Sequence, residues 1–433
     1  MNRILSGERR LAWLASTLGL FFLVAAKPAH TKSEADNPQP LTLQQALKFT
    51  LKEHPSLGVF QFRQQALEGE RSTAAQQPGY RIGAELENFA GNGEFSGVDN
   101  AELTVSLSSA IELGGKVDAR LGVVKSKRTV VETQKELQAL ELLSETTRRY
   151  IHLLTAQERV KLAKESLQLA KETLRVAQRR ANLGATMKAE VKRAKASLAQ
   201  AELTLQKEES NLKVYSASLQ AMWNEQASKV YSASASLYRF GNALSFEELY
   251  QKVQNNPSIK QFSALERLKQ SEVDLTSTSN QSDINWSVGL TRSQASGDMG
   301  FKAGFSMDLF SESRNQGKLQ SALAAKNEVF VSKKTALLRM HDQLFNAYQQ
   351  RKQSVHVVER LQQDIIPTLA LALKETQKAY QRGRYSYFEY VAARQELISA
   401  KRKLIDAASA ALMYGVAIEQ LTAEPLTLFK KNS

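Results

Sequence analysis

From Gly115 to Asn182 the chain has no proline, and after Gly115 its one glycine is Gly122, near the start. Nothing in that run breaks an α-helix, so it predicts a single very long one. Its second half carries a heptad seam: Leu153, Ala156, Val160, Ala163, Leu167, Ala170, Leu174, Ala177 and Ala181. The steps alternate three and four, which keeps one stripe turned toward a partner helix. At 1.5 Å per residue the helix is roughly 100 Å long. No ordinary globular domain needs such a rod, so the rest of the chain must be fitted around it.

The chain has 433 residues, room for two or three domains, and 42% of them are hydrophobic, which argues against disorder. The beginning reads as a secretory signal over residues 1–26. Arg3, Arg9 and Arg10 precede an apolar run from Leu11 to Ala26, and Val24-Ala25-Ala26 offers small residues for cleavage. An uncleaved anchor is the alternative, but the run is shorter than the ~20 residues of a span. Residues 27–40 are polar. No later stretch reads as a transmembrane helix, so a further crossing would need strands. The chain has no cysteine, which excludes disulfides, thiolate metal sites and a lipidated N-terminal Cys. A net charge of +14 raises the question of nucleic acid. The basic residues are interleaved with Glu, as in KESLQLAKETLRVAQRR, so they read as solvated faces and no nucleic acid is expected.

The chain contains one unit twice. The first copy spans 41–223, the second 244–421; residues 224–243 join them as a linker or equatorial segment, and 422–433 form a tail. Leu41-Thr-Leu-Gln-Gln-Ala-Leu with His54-Pro55 opens the first copy. Leu244-Ser-Phe-Glu-Glu-Leu-Tyr with Asn256-Pro257 opens the second. Each opening has a capping box, Thr42 with Gln45 and Ser245 with Glu248, and predicts a helix to about Thr73 or Ser277.

A hairpin follows in each copy, at about 80–111 and 284–309. Tyr80, Ile82, Ala84 and Leu86 alternate with polar residues, as do Ala101, Leu103, Val105 and Leu107. In the second copy Trp286, Val288 and Leu290 face one way, and so do Phe301, Ala303, Phe305, Met307 and Leu309. Period two with one apolar face is the strand signal. A second long helix is expected over Gly317–Arg382, with an irregularity at Pro367. Each long helix ends at a glycine turn, Leu183-Gly184-Ala185-Thr186 or Arg382-Gly383-Arg384-Tyr385. A shorter helix then returns, with seams at Val191, Leu198, Leu205, Leu212 and Leu219, and at Leu397, Leu404, Ala411 and Ile418. In each copy two short helices laid end to end match the long one.

The fold class is therefore mainly α with a small β part: a coiled-coil helical barrel plus an outer-membrane β-barrel, with two internal repeats. Four strands of bilayer-crossing length cannot leave open edges in lipid. Known barrels have about eight strands or more, so copies must share one. A trimer supplies twelve and leaves an open lumen.

In this order and duplication the motifs resemble the TolC family of outer-membrane channels, over about Leu41 to Leu421. Glu112-Leu113-Gly114-Gly115-Lys116 with Arg120 follows the first hairpin, and the Gly-Gly-Lys form is most similar to the CzcC/CusC-like heavy-metal branch. Leu309-Phe310 with Arg314-Asn315-Gln316-Gly317 follows the second hairpin, and Tyr380-Gln-Arg-Gly383 with Ser386 and Glu389 marks the second turn. The resemblance implies a homotrimer in outer-membrane lipid and a helical tunnel into the periplasm. It also implies a tripartite pump with a periplasmic adaptor and an inner-membrane resistance–nodulation–division (RND) transporter. The channel performs no chemistry. Heavy-metal cations lead as substrate; multidrug efflux or type I secretion is the alternative. A soluble coiled-coil scaffold is the alternative of another class.

The glycine turns would form the periplasmic tip and its gate. Gly184 and Glu190 stand six apart, and Gly383 and Glu389 repeat that spacing. Glu389 matches a family acidic residue lining the constriction, yet it also fits a capping box with Ser386. The family's second acidic position is Ala392 here. Tyr380 matches a tyrosine that latches the tip. The matching arginine position holds Tyr385, with Arg384 beside it, and the expected acidic partner falls at Arg175. A rearranged network using Arg382, Arg384 and Glu172 is therefore expected. His30, His54, His152, His341 and His356 form no i, i+4 pair, no nucleophile elbow occurs, and no metal site, cofactor or enzymatic activity is expected.

Overall fold

The computed structural model describes residues 39–225, 231–241, 244–309 and 311–424. The expected signal segment, most of the polar segment after it, part of the joining span and most of the tail lie outside these residues.

The rod is α3, Lys116–Asn182, entered through Gly115 in the left-handed conformation. Before it come β1 (Gln39–Leu41), α1 (Leu43–Glu53), α2 (Pro55–Ala74), β2 (Arg81–Glu87) and β3 (Glu102–Ile111). After it come α4 (Lys188–Gln220), a 3-10 turn (Ala221–Trp223) and β4 (Tyr231–Ala233). The second half runs α5 (Phe246–Val253), α6 (Pro257–Thr278), β5 (Ile284–Ser293), β6 (Met299–Met307) and α7 (Ser311–Arg360). A π turn (Leu361–Ile365), α8 (Ile366–Gln381) and α9 (Tyr387–Thr422) complete it.

Three expectations need correction. The opening helix of each half is split. The residue before a proline is pushed out of the α region. His54 and Asn256 are extended and cap a second helix that starts at Pro55 or Pro257. The second long helix starts at Ser311 rather than Gly317, while the irregularity expected at Pro367 is present as a π turn just before it. Finally, α9 is long and apolar enough to cross a membrane by composition alone. Its apolar residues are spent inside the protein: Ala408, Leu412 and Val416 are fully buried and share a core with α3.

Helices α1, α2 and α4 pack along α3, while α5, α6 and α9 pack along α7. The short helices meet end to end. Phe49 of α1 lies 5.7 Å from Trp223 beyond α4. Asn256 donates through Nδ2 to the Gln420 and Leu421 carbonyls, at 2.7 and 2.9 Å, capping the end of α9. The largest core surrounds the buried Tyr150, Ile151 and Leu153 of α3. There β1 pairs in parallel with β4. The Tyr150 hydroxyl donates to the Leu41 carbonyl at 2.9 Å and accepts from the Ser234 amide at 3.1 Å, tying both short strands to the rod.

The other four strands form one antiparallel sheet in the order β2-β3-β5-β6, so the two hairpins lie side by side. Register separates two faces. Ile82, Leu107, Val288 and Ala303 lie in one row, and Ala84, Val105, Leu290 and Phe301 in the next. Opposite them run polar rows such as Glu85, Thr104, Thr291 and Gly300, with Thr104 and Thr291 hydroxyls 2.8 Å apart. The apolar face is bare: Phe301 is 95% exposed and Ile82 79%. In one chain β2 and β6 are open edges, so the barrel is not closed. Where strand becomes rod, Arg120 holds Glu112 at 2.6 Å and the Ala74 and Gln76 carbonyls. Lys116 pairs with Asp283 of the other hairpin at 2.7 Å.

Candidate tip gate

Both long helices end in the same way. Gly184 (φ 69°) and Gly383 (φ 77°) take the left-handed conformation that glycine adopts without steric cost. In the first turn the Ala185 amide donates to the Arg180 carbonyl at 2.9 Å, and that of Gly184 to Ala181 at 3.0 Å. In the second the Arg384 amide donates to Ala379 at 2.9 Å, and that of Gly383 to Tyr380 at 3.1 Å. Each is a Schellman end, so the duplicated glycines do one job twice.

The two turns are joined by side chains of unequal kind. Tyr380 is completely buried. Its hydroxyl donates to Glu190 Oε2 at 2.9 Å, across from α8 to α4. Its ring stacks on Tyr390 at 5.4 Å and meets Tyr387 edge-on at 6.2 Å. The Arg180 guanidinium lies 4.3 Å above that ring. Arg180 also donates to the Tyr380 carbonyl at 2.8 Å and the Ala185 carbonyl at 3.1 Å, so one cation caps the ends of both long helices. Burial, helped by the bond to the Glu190 carboxylate, pushes the Tyr380 phenol far above its usual range. Burial raises Tyr387 and Tyr390 too.

The expected network is corrected here. Arg382, Gly383, Arg384 and Tyr385 lie exposed on the second turn, and neither Arg382 nor Arg384 reaches Tyr380 or Glu190. Glu172 is taken by Arg175, which donates to it at 2.7 and 2.9 Å and holds its carboxyl below the usual range. Glu389 is exposed and forms the capping box: its carboxylate accepts from the Ser386 amide at 2.7 Å and hydroxyl at 2.8 Å. Those bonds lower its pKa. Arg180 was missed because it acts on residues two hundred positions away. Its only local signal was a basic side chain in the last turn of a helix. Among the described residues no group of three His, Asp or Glu side chains could hold a metal ion.

An open sheet with a bare apolar face, set on a double-length helical bundle with paired glycine turns, defines one protomer of a membrane channel. Residues 46–225 match the family described as outer membrane efflux protein, and the chain resembles that family. The chain reads as an efflux channel protein of the outer membrane, and the matched family is one of channels. The cobalt-zinc-cadmium resistance protein CzcC of Cupriavidus metallidurans is 23% identical over 301 residues, 69% of this chain and 71% of that protein. The solved structure of CusC superposes with a TM-score of 0.72 at 15% identity, covering 88% of this chain and 91% of that one. VceC of Vibrio cholerae gives 0.70 at 17%, covering 89% and 96%. The soluble-scaffold alternative falls with these likenesses.

Proposed function

We propose that this channel conducts heavy-metal cations from the periplasm to the exterior as part of a tripartite pump. The observation that carries the reading is the likeness to a cobalt-zinc-cadmium resistance protein across 69% of the chain. The working unit is a homotrimer. Open edges at β2 and β6 must find partners in lipid, and three copies of a four-stranded sheet make a twelve-stranded barrel. Apolar rows led by Phe301 and Ile82 suit the lipid side, and the polar rows suit a watery lumen. At the other end the tip docks a periplasmic adaptor, which links the channel to an inner-membrane RND transporter. Tyr380, Glu190 and Arg180 hold the tip shut. Glu389, exposed beside its cap, offers a carboxylate to passing cations.

The test is growth of a deletion strain across cobalt, zinc, cadmium, copper and silver, with drugs and detergents in parallel. Sensitivity confined to metals, restored by the intact gene, is the expected result. Sensitivity to drugs alone would overturn the metal assignment and leave the channel intact.

A further inference from the structure

Several partly buried cations in this protein are matched by carboxylates. Arg120 has Glu112, Lys116 has Asp283 and Lys401 has Glu165. The buried Arg351 feels Glu419. Arg394 of α9 does not follow the pattern. It is 7% exposed. Its Nη1 donates to Thr173 Oγ1 of α3 at 3.1 Å, and its Nη2 to Ser197 Oγ of α4 at 2.7 Å. Both acceptors are neutral, and among the described residues no carboxylate bonds this guanidinium. Burial lowers its pKa, and the groups that oppose the shift are the phenols of Tyr387 and Tyr390. A buried charge without a counter-charge is costly.

A cavity of about 510 Å³ adjoins it, between α3, α4 and α9. Ser166, Ser197, Gln200, Thr204, Arg394 and Arg402 give its wall a polar, cationic character. One carboxylate, Glu208, also lines it, but Glu208 sits about 16 Å along α4 from Ser197 and accepts from Asn211. A guanidinium has five N–H donors, and the two hydroxyls use two of them. Thr173 spends its own proton on the Leu169 carbonyl, whereas Ser197 keeps one to donate.

We propose that this cavity binds a small inorganic oxyanion, held by the Arg394 guanidinium and the Ser197 hydroxyl. Such an anion supplies the missing negative charge and ties α9 to α3 and α4. The site lies one turn beyond Tyr390, which stacks on Tyr380 in the tip.

Equilibrium dialysis of the detergent-purified full-length protein against radiolabelled inorganic phosphate, in low-salt buffer, tests this. One saturable phosphate per chain is expected, displaced by sulfate. Arg394→Gln should weaken it at least tenfold, and Arg382→Gln, on the exposed turn, should leave it unchanged. Ser197→Asp places a carboxylate beside the guanidinium and should abolish binding in a folded protein. If Arg394→Gln does not fold, Ser197→Asp decides. No saturable phosphate on the intact protein, or full binding to a folded Arg394→Gln or Ser197→Asp variant, overturns the site.

Discussion

The two long rods are built from one repeated pattern and behave as different parts. The first, α3, runs without a break for 67 residues, touching α1, α2, α4, α6 and α9. The second, α7 to α8, is interrupted by five residues of π turn and leaves Phe330, Val331 and Leu338 exposed. Pro367 supplies part of the physical reason. It has no amide hydrogen and its ring collides with the carbonyl four residues back, so the backbone must loosen just before it. The unbroken rod is a strut that carries Arg180, and the jointed one is an arm that carries Tyr380. At the tip the strut's cation sits on the arm's ring, and in the proposed gate that contact is the closed state.

The most disruptive way to break that comparison is Tyr380→Ala. Removing a fully buried aromatic side chain costs about 3–5 kcal/mol of local packing. Single-channel conductance in planar bilayers should rise several-fold, and unchanged conductance would remove Tyr380 from the gate. Alkali should act in the same direction. The folded state keeps the Tyr380 proton at a pH where the unfolded chain has lost it. The latch's contribution is therefore complete below about pH 10 and lost as pH rises beyond that. Conductance should be flat across neutral pH and climb only in alkali; a climb centred near neutrality would point to another group.

Next comes Arg180→Ala, which strips two carbonyls of their cap and the ring of its cation, about 2 kcal/mol together. Arg384→Ala, on the exposed turn, should match the wild type. Conductance and trypsin cleavage at the two turns measure both. The reverse ranking would restore the network expected from the sequence alone.

That contrast shows what was legible. The heptad seam read from Leu153 to Ala181 is the face that α3 buries, with Leu153, Ala156, Val160, Ala163, Ala170 and Ala177 inside. The strands, glycine turns and capping boxes were legible too, because each is written within a few neighbouring residues. The breaks at His54 and Asn256 were signalled by the prolines that follow and passed over, since each proline also suits the first turn of a helix. The partner of Tyr380 was not legible. Position 180 meets position 380 only after the strut and arm are laid together, and no local pattern encodes that meeting. The lone charge of Arg394 was hidden for the same reason.

The smallest expected effect is that of Pro367→Ala, and it sharpens the comparison most. A π turn holds one residue more than an α turn. Erasing it would rotate everything beyond by about 100°, swinging Tyr380 away from Glu190 and Arg180. The tip therefore holds the joint in place as much as the proline does, and Leu361, buried at its start, adds to the hold. Proline also stands where the new helix begins and needs no amide donor. Pro367→Ala alone should change stability by less than about 0.5 kcal/mol and leave amide exchange at 361–367 fast. In a Tyr380→Ala background the tip no longer resists, so the same substitution should let the joint close into α-helix and slow that exchange. The two changes are then strongly non-additive although they stand 13 positions apart. Slow exchange in the single variant would show instead that the proline alone makes the joint, and that the tip has no hold on it.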